Sequence, residues 1–305
     1  MRSKKIMAYK LLGCLLLVGL LSPDVISAER EKMQLAAVGA RSVAYHVLGA
    51  ARGTPLVFIY GGPGGDHTFH HLSTVWERLA TARRVVFFDH PGTGQSWAIG
   101  PEDDAKVDDL LLSIEAIRAA IGAPRVTLLG HSWGGYVAMA FAIRHPEHVE
   151  RLILVDSMAP KFSTTEFLFG ALFPDVARLR RGLRAENPDD VQKYTRLTFA
   201  MSFYSPEIRD RILGKLGPPV YNAQLERLSN DAESHDLTND LTRLSMPVLV
   251  ATGRFDANVA PRTAWSIHQT IPGSQFAVFE RSGHFPMIEE PERFFAVVDG
   301  FLRGR

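Results

Sequence analysis

"LLGHSWGGYVAM", Leu128 to Met139, decides how this chain folds. An apolar run ends in a serine set between glycines and passes at once into a helix-like segment. A strand that turns straight into a helix leaves little room. Gly130 and Gly134 therefore suit positions where a side chain would strike the helix or the neighbouring strand. Such a turn exposes the Ser132 hydroxyl at the end of a sheet strand. The competing reading, a small serine in a tight turn, stands until a base and an orienting acid are found.

On either side of this stretch, short apolar runs recur at wide spacing: "PLVFIY" at 55–60, "RVVFFD" at 84–89, "LILVD" at 152–156, "PVLVAT" at 247–252 and "QFAVFE" at 275–280. They are continuous rather than alternating, as strands covered on both faces should be. Helix-like segments lie between them, including "FHHLSTVWERLATA", "KVDDLLLSIEAIRAAIG", "TAWSIHQTIPG" and "EEPERFFAVVDGFL". Strands alternating with helices predict a parallel, doubly wound α/β sheet. "MQLAAVGARSVAYHVLG" predicts an antiparallel hairpin leading into it. About ninety residues between "LILVD" and "PVLVAT" hold no comparable strand run and are helical in pattern. The expected organisation is a core over 29–160 and 244–305, with a helical cap over 161–243.

A serine hydroxyl is a weak nucleophile and needs a base, which in turn needs an acid to orient it. Asp256 ends the strand-like "LVATG" and its "RFD" tail, and His284 follows the last strand in "FERSGHF". The chain order Ser, Asp, His is the one expected of a nucleophile elbow on such a sheet. All three lie at carboxyl ends of strands, the edge where open α/β sheets build their sites. Asp256 as a helix cap and His284 as a packing residue are the bland alternatives, and Asp156 after "LILV" is a competing acid. "YGGPGG", Tyr60 to Gly65, follows "PLVFI" and nominates the backbone N–H of Gly62, with that of Trp133, as oxyanion donors.

"GGPGG", "DHPGTGQS", "GHSWGG", "GRFD" and "SGHFPMIEEPERF" together resemble the α/β-hydrolase superfamily, and within it the proline iminopeptidase-like (prolyl aminopeptidase) branch. The resemblance implies a mostly parallel eight-stranded sheet flanked by helices, with an inserted helical cap. It also implies a serine hydrolase acting by Ser-His-Asp acyl transfer to water, of aminopeptidase type. A carboxylesterase or lactonase with an apolar acyl substrate is the alternative, and a non-catalytic binding protein on the same fold is the third reading. Two positions depart from the branch: Tyr60 stands where it usually has His, and "DHPG" where it has an Asp-Gln-Arg-Gly type sequence. Iminopeptidases of the branch hold the substrate's amino terminus with acidic cap residues, for which this cap offers Glu166, Glu186, Glu226 and Glu233.

Composition is that of an ordinary globular protein: 305 residues, 46% hydrophobic, 22% charged, with 25 Gly and 18 Pro. "MRSKK", the apolar run Leu11 to Leu21 and small residues up to Ala28 predict a secretory signal peptide over 1–28, hence export, with tethering by an uncleaved signal as the alternative. Cys14 is the only cysteine, so a chain cleaved after Ala28 has no thiol for a disulfide, nucleophile or metal site. That cleavage also removes Arg2, Lys4, Lys5, Lys10 and Asp24, leaving 30 basic and 32 acidic residues from 34 and 33. A net charge of +1 becomes −2, which offers no footprint for nucleic acid or anionic lipid. The expected partner is a small-molecule or short-peptide substrate. The reaction needs no metal or organic cofactor, and His67, His70 and His71 read as pocket-border or helix-start residues rather than metal ligands.

Overall fold

A computed structural model of the chain describes residues 32–50, 53–62, 65–100, 103, 105–180, 187–215 and 225–304. The expected signal peptide over 1–28 lies outside them. Eight strands form one sheet: β1 (Gln34–Val38), β2 (Arg41–Leu48), β3 (Gly53–Ile59), β4 (Arg83–Phe88), β5 (Val126–His131), β6 (Val149–Val155), β7 (Val248–Gly253) and β8 (Gln275–Phe279). Their order is β1-β2-β4-β3-β5-β6-β7-β8. β1 and β2 form the expected antiparallel hairpin, and β2 is also antiparallel to β4. From β4 to β8 every pairing is parallel.

The continuous apolar runs have the cause inferred for them. Successive side chains of a strand point to opposite faces, and here both faces are covered. Val57 and Ile59 enter one core, while Leu56, Phe58 and Tyr60 enter the other. The first core is closed by α2 (Val107–Ala120), α3 (Trp133–Arg144) and α9 (Pro261–Thr270), the second by α1 (Val75–Ala80) and α11 (Pro291–Leu302). Each fully buried Val, Leu, Ile or Phe in these layers contributes about 1.5–3 kcal/mol. The layers fix the sheet, and the sheet fixes where its carboxyl edge stands.

Two expected helices are divided. "FHHLSTVWERLATA" forms a 3₁₀ turn, His67–Leu72, before α1 begins at Val75. Asp66 starts that turn by accepting the Thr68 N–H, and Ser73 is extended, which ends it. "EEPERFFAVVDGFL" is cut at Pro291, whose ring suits a first helical position: α10 (Pro286–Glu289) stops before it and α11 starts on it.

Between β6 and β7 the described chain is helical apart from an isolated bridge between Lys161 and Asp236. It holds α4 (Phe169–Leu172), α5 (Pro174–Arg180), α6 (Pro188–Ala200), α7 (Pro206–Leu213) and α8 (Leu225–Glu233). Asn187 and Ser205 cap α6 and α7 with their side-chain oxygens, and a proline follows each cap. Among the described residues no helix is long and apolar enough to cross a membrane.

Candidate active site

Ser132 stands between β5 and α3 with φ 55° and ψ −119°, and is 6% exposed. A left-handed φ is costly for a residue with a Cβ and persists only where its surroundings hold it. The Ser132 N–H donates to Val155 O on β6 at 3.0 Å, and its carbonyl accepts from Gly135 N and Met158 N at 3.0 Å each. The glycines do what the sequence asked of them. A Cβ on Gly130 would run into the Gly134 carbonyl, and one on Gly134 into the Ile59 and Tyr60 carbonyls at the end of β3. The tight turn and the presented hydroxyl are one feature.

Asp256 and His284 come together. His284 Nδ1 lies 2.7 Å from Asp256 Oδ2, with both residues buried. Asp256 Oδ1 accepts from Asn258 N at 2.8 Å and Val259 N at 3.0 Å. Asp256 is not the cap of the helix at Pro261, which Ala260 begins; one of its oxygens holds its own loop, and the other is left for the imidazole. The competing acid Asp156 is not the partner of His284 Nδ1. It ends β6 with φ 47°, and its Oδ1 accepts from Gly253 N at 2.8 Å and Thr252 Oγ1 at 3.0 Å.

His131, one residue before Ser132, bridges toward the base. Its Nε2 is 2.7 Å from the His284 carbonyl, and the two rings lie 4.6 Å apart. Burial holds the His284 imidazole down to about 4. His284 is therefore neutral at pH 7, the state a proton acceptor needs. His131 is also held well below the usual histidine range, first by burial and then by His284.

Gly61 lies against the serine: a Cβ there would be 2.8 Å from both Ser132 Cβ and His131 Nδ1. The following residue, Gly62, has φ 69°. Trp133 is the first residue of α3, so its N–H belongs to the helix-start donors that have no carbonyl partner within the helix. An anion near Ser132 meets those donors and the positive end of the helix.

The shell around the base is aromatic. Phe285 sits 5.3 Å from His131 and 5.2 Å from His284, and Phe69, Phe199 and Phe203 pack on Phe285. Of the aromatics between β6 and β7, Phe199 and Phe203 thus pack on Phe285, while Phe169 packs with Met201 and Ala257 in a small separate cluster. Asp231 binds Val107 N, Asp236 pairs with Lys161, and the Glu166 side chain is exposed. Glu186 and the Glu226 side chain are outside the described residues.

One carboxylate that sequence reasoning passed over ties the cap to this site. Glu289, in α10, accepts from Tyr204 N and Ser205 N on Oε1 and from Gly283 N on Oε2, at 2.8, 2.9 and 2.7 Å. His284 N also donates to Ser202 O at 2.7 Å. The glutamate stands in the quoted "SGHFPMIEEPERF", but nothing in its spacing says which N–H groups it meets.

The histidines near the "GGPGG" loop are used in hydrogen bonds: His67 Nδ1 is 2.6 Å from buried Asp89 Oδ1, and His70 Nδ1 contacts the His67 carbonyl. Two other groups bring possible metal-ligand atoms within 4.8 Å of one another, His131 with Asp156 and His284, and His145 with Glu147 and His148. The first shares the site just described. The second precedes β6 and so lies at the opposite sheet edge.

The family model for the alpha/beta hydrolase fold matches residues 54–291. The chain belongs to the α/β-hydrolase family and is a hydrolase. It is 28% identical over 275 residues to a proline iminopeptidase of Saccharolobus solfataricus, covering 85% of this chain and 87% of that one. It is 28% identical over 252 residues to a pimeloyl-[acyl-carrier protein] methyl ester esterase of Neisseria meningitidis, covering 81% and 93%. Among solved structures, a thermophilic esterase from Thermogutta terrifontis superposes with a TM-score of 0.69 at 26% identity, covering 90% of this chain and 98% of that one.

Proposed function

We propose that this hydrolase works by acyl transfer to water through Ser132, and that it releases the N-terminal residue of a short peptide or amide. The observation that carries the chemistry is the pairing of His284 Nδ1 with Asp256 Oδ2, linked through His131 to the neighbouring Ser132 held at φ 55°. His284 takes the proton of Ser132, and the serine oxygen attacks the substrate carbonyl. Asp256 keeps the imidazole in the tautomer whose other nitrogen accepts, and stabilises the imidazolium that forms. The oxyanion that develops is met by the N–H groups of Gly62 and Trp133. His284 then returns the proton to the leaving amine, and water, activated by the same base, releases the acyl group. The aminopeptidase reading is supported by the "GGPGG" sequence, whose Gly61 lies against the serine, and by the iminopeptidase relative.

A second reading, an esterase for an apolar acyl group, is favoured by the aromatic shell of Phe69, Phe199, Phe203 and Phe285, and by the engagement of Asp231 and Asp236 elsewhere. A free amino terminus needs a carboxylate, whereas an apolar acyl chain needs only such a shell. Parallel assays with prolyl nitroanilide and short-chain nitrophenyl esters separate the two. Release of free proline at rates above ester cleavage supports the peptidase, and ester cleavage alone overturns it.

A further inference from the structure

Asp156 is a buried acid that the acyl-transfer scheme leaves without a task. It is 1% exposed, sits at the carboxyl end of β6, and shares with Ser132 alone, among described residues other than glycine, a left-handed backbone. Its Oδ1 is fully used by Gly253 N and Thr252 Oγ1. Its Oδ2 is buried and meets no N–H or O–H donor among the described residues. The acid nearest it through the site is Asp256: a His284 ring nitrogen lies within 4.8 Å of an Asp156 oxygen, and His284 Nδ1 is 2.7 Å from Asp256 Oδ2.

Two ionised carboxylates cannot share one buried site without a large repulsion, and a buried carboxylate oxygen without a donor is unfavourable in its own right. A proton on one of the two removes both objections, because the protonated acid becomes a donor and the other carboxylate an acceptor. The partners decide which acid holds it. Asp256 has two backbone N–H donors and the imidazole, all of which favour its charged form. Asp156 has one N–H and one hydroxyl on one oxygen and nothing on the other.

We propose that Asp156 keeps its proton and donates it as a hydrogen bond to Asp256, making it a positioning residue that fixes the carboxylate behind His284. This rests on the acyl-transfer reading of Ser132, His284 and Asp256. The two acids then carry one negative charge between them, and Asp256 is held at both oxygens: Oδ1 by its own loop, and the carboxyl as a whole by the Asp156 hydroxyl from β6. The other titratable groups facing Asp156 are His284 from the loop after β8 and His131 from the end of β5, each with a ring nitrogen within 4.8 Å of an Asp156 oxygen. Glu289 acts on Asp256 from α10. Burial raises both carboxyls, Asp256 to about 8 and Asp156, with Asp256 adding to it, well above the usual carboxylate range, in keeping with a proton held between them.

Asp156→Asn separates this from the alternatives, because an amide copies a protonated acid: its oxygen accepts from Gly253 and Thr252 and its NH₂ donates to Asp256. The expected result is kcat/KM within about threefold of the parent and an acid limb of the pH profile that does not move. Asp156→Leu, which has no donor, is expected to lose about tenfold or more in kcat with KM little changed. Infrared difference spectra of the parent against Asp156→Asn should show the carbonyl stretch of a protonated carboxyl group disappear, a readout that needs no activity and stands even if the leucine variant does not fold. An acid limb that shifts to lower pH in Asp156→Asn, or no carboxyl band to lose, overturns the proposal. Activity that survives Ser132→Ala overturns the acyl-transfer reading instead, so the two failures are distinct.

Discussion

Gly61 is packed so closely on Ser132 that a methyl carbon added to it would lie 2.8 Å from the serine Cβ. The loop after β3 and the turn after β5 are therefore fitted to each other with no space between them. Gly61→Ala should push the serine or the loop aside and lower kcat by about tenfold to a hundredfold, since misplacement of about 1 Å costs that much. Steady-state kinetics and a melting curve check it: a folded variant with unchanged kcat removes this contact from the site.

Replacing the nucleophile should abolish reaction with active-site serine reagents. Ser132→Ala is expected to lose fluorophosphonate labelling and to lower kcat on the order of 10⁶-fold. Asp256→Asn keeps the shape but favours the wrong imidazole tautomer, with an expected loss of about ten-thousand-fold. Persistent labelling of the alanine variant would falsify the role given to Ser132.

The base has a stated pH dependence. Burial lowers His284 to about 4 from an ordinary 6.5, so its neutral form persists through mildly acid solution. The acid limb of kcat/KM is expected near 4. Protonating this group disfavours the folded state, so the stability it contributes is complete above about 6.5 and is lost as pH falls from there through about 4. A kcat/KM profile whose acid limb lies at the ordinary histidine value contradicts the burial of His284 described above.

Glu289 receives three backbone N–H groups, two from the cap and one next to the base. Glu289→Gln must turn an NH₂ toward at least one of them, leaving donor against donor, which costs about 1–3 kcal/mol. Thermal unfolding should fall by a few degrees, and kcat/KM should fall with it because the Gly283 amide adjoins His284. A variant that melts and turns over like the parent shows that these bonds hold nothing in place.

The sheet, its edge and the three principal side chains were open to reading from sequence because each leaves a local mark. Buried strands leave apolar runs, an elbow needs glycines at fixed offsets, and triad residues follow strand ends in a set order. What stayed hidden depends on closeness between distant segments. Nothing around Asp156 announces a carboxyl neighbour one hundred residues on, and Glu289 meets Tyr204, 85 residues earlier, through backbone atoms that any residue type would offer. Gly61 looked interchangeable with the other glycines of "YGGPGG" until the serine was placed beside it. The two divided helices were missed for a different reason: extended Ser73 and Pro291 act at single positions within segments whose periodicity continues across them.

The strap from Ser202 to Ser205 leaves α6 and runs past the base before α7 begins. Ser202 accepts from His284 N and from Asn258 Nδ2, while Tyr204 and Ser205 donate to Glu289. Mechanically it is a rivet: the cap cannot swing away as one plate without unfastening the base, its acid's loop and α10 together. The same four residues thus join two helices of the insertion to the loops that carry His284 and Asp256.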